Sequence, residues 1–155
     1  MRLVELQKAL DDAFPPQWAA AWDNVGLTVG WAGAEVRRIL VALDVTVETV
    51  ADAVERGCQL LVTHHPFPWR ERRRYDLAAP EGKILAEVMR AGLNLLAVHT
   101  NLDAAPDGHA VLLARRLGLR DLRPLKVTGE RFVKIAVFVP QGEDAARVRA
   151  AMDSV

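Results

Sequence analysis

Two kinds of apolar pattern alternate along this chain. RRILVALDV (Arg37–Val45), CQLLVTHH (Cys58–His65) and LNLLAVHT (Leu93–Thr100) are nearly continuous apolar runs, the pattern of strands buried on both faces. Between and after them, apolar residues recur at helical spacing. In TVETVADAVERG the side chains of Val47, Val50, Ala51 and Val54 share one face, Thr46 can cap the start and Gly57 can stop the end. PEGKILAEVMRAG reads as a second such helix ending in glycine, and PDGHAVLLARRLG as a third, with Asp107 as its cap. Ahead of this regular part, Val4, Leu6, Leu10 and Phe14 mark one face of an opening helix that Pro15 and Pro16 must end. WAAAWDNVGLTVG then reads as a structured loop running into a short strand.

Strand and helix in regular alternation predict an α/β fold, a parallel or mixed sheet flanked by helices and joined by right-handed crossovers. No internal repeat or low-complexity tract interrupts it. After DLRPLKVTGERF the pattern restarts, with VKIAVFV as a strand and GEDAARVRAAMDSV as a helix. The expected division is an α/β lobe over residues 1–129 and the incomplete beginning of another domain over 130–155.

Composition narrows the function classes only a little. The 155 residues suffice for one core without disulfides or metals to hold it, and Cys58 stands alone as a small hydrophobe. Twenty basic residues balance twenty acidic ones, so the overall charge gives no reason to expect nucleic acid as a partner. The one local excess, RERRR at Arg70–Arg74, reads as a solvated loop, with an anion contact as the minority reading. MRLVELQKALDDAF lacks the apolar centre of a signal peptide and no run approaches a membrane span, so a cytoplasmic protein with no membrane partner is expected.

The candidate chemistry gathers at the strand ends. Ligands of open α/β sheets bind outside the carboxyl ends of the parallel strands. Asp44 ends the first of these strands, His64 and His65 the second, and HTNLD (His99–Asp103) the third. Neighbours on an extended strand point to opposite faces, so two adjacent histidines can serve one crevice only where the backbone turns, and Pro66 favours a turn there. Imidazole and carboxylate without thiolate suit Zn, Mn, Fe, Co or Ni. Asp103 is the expected metal ligand of HTNLD. His99 could orient water at a metal, accept its proton, or hydrogen-bond a ligand carboxylate. For Asp44 two roles stay open, orienting a ligand from behind or capping the helix near Thr46. His109 reads as an exposed residue at a helix start.

Together WDNVGL (Trp22–Leu27), THHP (Thr63–Pro66) and HTNLDAAPDG (His99–Gly108) resemble the NGG-one-interacting-factor-three-like family, whose bacterial members are labelled GTP cyclohydrolase 1 type 2 homologues. The resemblance covers nearly the whole chain. It implies the first lobe of a two-lobe fold, a site for two divalent ions per complete subunit with His64, His65 and Asp103 among the ligands, and a toroidal homohexamer with its sites facing a cavity. It also implies that VKIAVFVPQGEDAARVRAAM begins a ferredoxin-like inserted domain. The family completes its site with a His and a Glu near the end of the second lobe, and no histidine follows His109 here. The chain is therefore expected to be an N-terminal portion that holds metal weakly alone. The expected function is metal-dependent hydrolysis of an unidentified small molecule; the alternative is a non-catalytic metal-binding ring that recruits or regulates partners. No Gly-rich phosphate loop supports GTP itself as substrate.

Overall fold

The computed structural model describes residues 1–124 and 143–152. The chain divides into two compact units, Met1–Arg123 and Pro124–Val155.

In the first unit, helix α1 (Leu3–Ala13) is followed by a short 3-10 turn (Pro16–Trp18), where the two prolines supply preset φ angles and remove donors a longer helix would need. Strand β1 (Gly26–Val29) comes next, then β2 (Ile39–Ala42), α2 (Val47–Glu55), β3 (Leu60–Thr63), α3 (Pro80–Ala91), β4 (Asn94–Ala97), α4 (Thr100–Ala104) and α5 (His109–Arg116). The sheet order is β1-β4-β3-β2. β2, β3 and β4 run parallel, and β1 lies antiparallel to β4 with a register shift between Leu27 and Val29. The fold is thus a mixed sheet with helices on both faces.

β3 and β4 are the central strands, and their alternation supplies both cores. Leu61 and Leu95 point to one face and pack with Val50 and Ala53 of α2, Val88 of α3, and Phe67. Leu60 and Leu96 point to the other and pack with Leu3 of α1, Val36 and Val98. Each such leucine contributes about 1.5–3 kcal/mol by leaving water. α2 starts where the sequence indicates: Thr46 Oγ1 accepts from the Thr49 amide at 3.2 Å. α3 ends on Gly92 in the left-handed conformation (φ +62°), which costs glycine nothing.

Four expectations are corrected. β2 is an edge strand, not buried on both faces: Val41 is 75% exposed and Ile39 40%, because among the described residues nothing covers that face. α2 buries Val50 and Ala53, while Val47 and Val54 face outward. α1 buries Leu3 rather than Val4, with Leu6, Leu10 and Phe14 half-buried beside it. Asp107 does not cap α5; the cap position is Gly108, and the Asp107 carboxylate instead accepts from Arg115 at 3.2 Å. Gly108 is there for space, since a Cβ on it would stand 1.9 Å from the Leu102 carbonyl oxygen.

The second unit contributes one described element, helix α6 (Glu143–Met152). The expected strand VKIAVFV and the expected boundary between Gly129 and Glu130 lie outside the described residues. Among the described residues no helix is long and apolar enough to cross a membrane.

Candidate metal centre

The parallel pairing of β2 with β3 continues past the last strand residue. The His64 amide donates to the Ala42 carbonyl at 3.3 Å and the His65 amide to Leu43 at 3.0 Å. Thr63 Oγ1 donates to the His65 carbonyl at 2.8 Å and closes a tight local loop. The rings of His64 and His65 lie 5.0 Å apart, centroid to centroid. β4 ends similarly: the His99 amide donates to Asn101 Oδ1 at 2.9 Å, and the Asp103 amide to the His99 carbonyl at 3.1 Å, which starts α4. His99 stands 4.9 Å from His64 and 5.5 Å from His65 by ring centroid. One ring nitrogen from each of the three lies within 4.8 Å of the other two.

Each of these rings is held through Nδ1 by a different part of the chain. His64 Nδ1 faces the Val98 carbonyl at 3.2 Å, and His65 Nδ1 faces Asp44 Oδ1 at 2.7 Å. His99 Nδ1 faces both oxygens of Asp23, at 2.9 and 3.0 Å. An acceptor opposite Nδ1 places the proton there and leaves the Nε2 lone pair free, the form in which imidazole binds metal. Burial depresses the pKa of His64 below its ordinary value; the Asp103 charge opposes this, while His99, and to a smaller extent His65, reinforce it. His64 is therefore neutral at neutral pH.

Asp23 is the residue that sequence reasoning missed as part of the site. Its side chain is 0% exposed, and its carboxylate also accepts from the Thr100 amide at 3.1 Å, the Asn24 amide at 2.8 Å and the Thr100 hydroxyl. Desolvation works against the charged form, but the bonds from Thr100, His99 and Asn24 outweigh it and hold the carboxyl below its ordinary pKa. The Ala20 amide in turn donates to Thr100 Oγ1 at 2.9 Å, which anchors the WDN loop to the start of α4.

Asp103 stands beside the three imidazoles, with Oδ2 3.9 Å from His64 Nε2. Its Oδ1 faces His109 Nδ1 at 2.8 Å. His109, exposed at a helix start, thus turns its ring toward the site, 5.6 Å from that of His64. Asp44 orients His65, and Thr46, not Asp44, caps α2. All four histidines of the chain converge on one crevice. The donor set of neutral imidazoles with a carboxylate beside them fits a divalent ion of the Zn, Mn, Fe, Co or Ni group.

Fold and site define an α/β protein with a candidate histidine-based metal centre at the carboxyl ends of its parallel strands. The chain belongs to the Duf34/NIF3 (NGG1p interacting factor 3) family, whose profile matches residues 1–153. It is 33% identical to the "GTP cyclohydrolase 1 type 2 homolog" of Staphylococcus aureus (strain MRSA252) over 141 residues, 91% of this chain and 38% of that protein. Among solved structures it is similar to a Bacillus cereus protein related to NIF3 (TM-score 0.75, 31% identity, 78% of this chain and 34% of that one). It is also similar to reduced HcgD from Methanocaldococcus jannaschii (TM-score 0.76, 29% identity, 81% of this chain and 50% of that one). The chain thus spans about two-fifths of the length of the curated relatives it matches.

Proposed function

We propose that this chain carries the metal-holding half of a metal-dependent hydrolase acting on a small molecule. The observation that supports the reading best is that three imidazoles share one crevice and each is fixed at Nδ1 by its own acceptor. His64, His65 and His99 would hold metal through Nε2, and Asp103 would add the negative charge that two neighbouring divalent ions need. Such a pair of ions would supply Lewis-acid polarisation and activated water for attack on an ester, phosphoester or amide-like bond. The chain's own residues do the positioning. Asp44 and Asp23 keep the protons of His65 and His99 on Nδ1, and His109 holds Asp103 through Oδ1. The name of the staphylococcal relative suggests hydrolysis of a purine ring as one reaction of this kind. The exposed apolar side chains of Ile39, Val41 and Leu43 around edge strand β2 support self-association, and a homo-oligomeric ring belongs to the same proposal.

The test is elemental analysis of the purified protein, then calorimetric titration with Zn, Mn and Co, then a phosphoester, amide and nucleotide hydrolysis panel with and without chelator. Metal uptake with chelator-sensitive turnover is expected. Uptake without turnover on any member would replace the hydrolase with a non-catalytic metal-binding module. Absence of uptake would remove both.

A further inference from the structure

Two tryptophans border the histidine crevice, and neither belongs to a core. Trp22 is 68% exposed and Trp69 47%. Their ring centroids lie 6.1 Å apart with the planes tilted by 52°, so they form a wall of two facets rather than a slot. The wall touches the imidazoles directly: Trp69 is 5.3 Å from His99 and 6.2 Å from His65, and Trp22 is 6.0 Å from His99. Both indoles are set by the loops that build the site. Trp22 precedes Asp23, whose buried carboxylate is anchored to His99 and Thr100. Trp69 follows Pro68, whose carbonyl accepts from Asn24 Nδ2 at 3.4 Å. Leaving two large aromatic faces open to water at a polar crevice stabilises nothing in the fold. Such faces bind flat rings well, because every heteroaromatic base offers a π-face for stacking.

Beside this wall lies a cavity of about 290 Å³, lined by Asp44, Val45, His65, Pro66, Phe67 and Trp69. Its volume suits one ring system rather than a polymer. Charge adds a second preference. Arg70–Arg74 continues directly from Trp69, and only Arg72 of its four arginines has an ion-pair partner among the described residues, Glu81 at 2.7 Å. Three guanidinium groups remain for an anion, and arginine pairs well with phosphate.

We propose that Trp22 and Trp69 bind the planar ring of a mononucleotide-sized heteroaromatic phosphate, with the phosphate taken by Arg70, Arg73 and Arg74. The assignment rests on the hydrolase reading for why a substrate comes to this crevice, and it adds the class of substrate. Ring recognition itself needs no metal, so it is tested in chelator, where phosphate cannot report through a bound ion.

The indole Nε1–H signals of the four tryptophans (Trp18, Trp22, Trp31 and Trp69) are followed by NMR, assigned through single Trp→Phe variants. Adenosine, guanosine, cytidine and uridine 5′-monophosphates are titrated, with ribose 5-phosphate as the ringless control. At least one mononucleotide should move Trp22 and Trp69 saturably and leave Trp18 and Trp31 in place, and ribose 5-phosphate should move none. Trp22→Leu and Trp69→Leu should each weaken that binding about tenfold, the usual scale for loss of one stacking partner, and Trp69→Phe should weaken it less. Replacing Arg70, Arg73 and Arg74 by Gln should weaken the monophosphate and spare the corresponding nucleoside. The proposal is overturned if no mononucleotide moves Trp22 and Trp69, if binding survives both leucine variants, or if ribose 5-phosphate binds equally well. Loss of metal uptake with ring binding intact would sink the hydrolase reading alone; the converse would sink only this one.

Discussion

Asp23→Asn tests how the site is held, because the two side chains have the same shape and differ in charge and in one acceptor. In the native protein Oδ1 accepts from the Asn24 amide and Oδ2 from the Thr100 amide and hydroxyl, while His99 Nδ1 spans both oxygens. An asparagine can keep its oxygen toward Thr100 only by turning its NH₂ toward the Asn24 amide, which sits at the exposed side where water can substitute. One hydrogen bond is lost and the rest become neutral. At about 1.5–3 kcal/mol for a bond to a charged group against about 1 for a neutral one, and with less cost to bury an amide, the net destabilisation is about 2–4 kcal/mol. For a chain of this size that lowers the melting temperature by roughly 10 °C. The anion that keeps the proton of His99 on Nδ1 is also gone, and loss of such a partner costs about 10–100-fold in metal affinity. Calorimetric titration with Zn well below the melting temperature, with circular dichroism to confirm folding, separates the two effects. Affinity within about twofold of the wild type, alongside the expected fall in melting temperature, would show that Asp23 is structural and that His99 does not hold metal.

His99→Ala should cost metal affinity on the same scale as His65→Ala, because the two rings offer their nitrogens to the same cluster; unchanged metal content with diminished turnover would return His99 to the proton-handling role its sequence context allows. Gly108→Ala should destabilise the fold by about 1–3 kcal/mol, since its Cβ would meet the Leu102 carbonyl at 1.9 Å and the α4–α5 turn must open. Denaturant unfolding measures this effect, and a neutral result would mean that the turn is not held as described.

The helix ends were legible because they depend on local chemistry. Thr46, Gly57 and Gly92 act through neighbours a few residues away, and any chain carrying them there would stop and start its helices similarly. Helix faces were not legible to the same degree. At 100° per residue, Val47, Val50, Ala51, Ala53 and Val54 cover well over half the circumference of α2, so several inward stripes satisfy the pattern. Packing against α3 and the sheet selects Val50 and Ala53, about 80° round from the expected centre. β2 misled for a related reason. A continuous apolar run records burial in the final assembly, whereas the described residues cover only one of its faces.

The site divides along the same line. THHP and HTNLD could be read because a strand end followed by metal-binding side chains is a short, local signal. What makes the histidines competent is non-local: Asp23 meets His99 across 76 positions and Asp44 meets His65 across 21. An aspartate between a tryptophan and an asparagine carries no mark of the ring it will face. Yet these partners separate a ligand from an ordinary polar residue at a strand tip. A histidine that only satisfies its own hydrogen bonds can use either nitrogen and either tautomer. Here a backbone carbonyl and two carboxylates from different loops all choose Nδ1, and the carboxylate of Asp23 is fully desolvated to do so. A fold that keeps a buried anion to fix one tautomer, with two neighbouring rings fixed the same way, is organised around what the three free nitrogens face together.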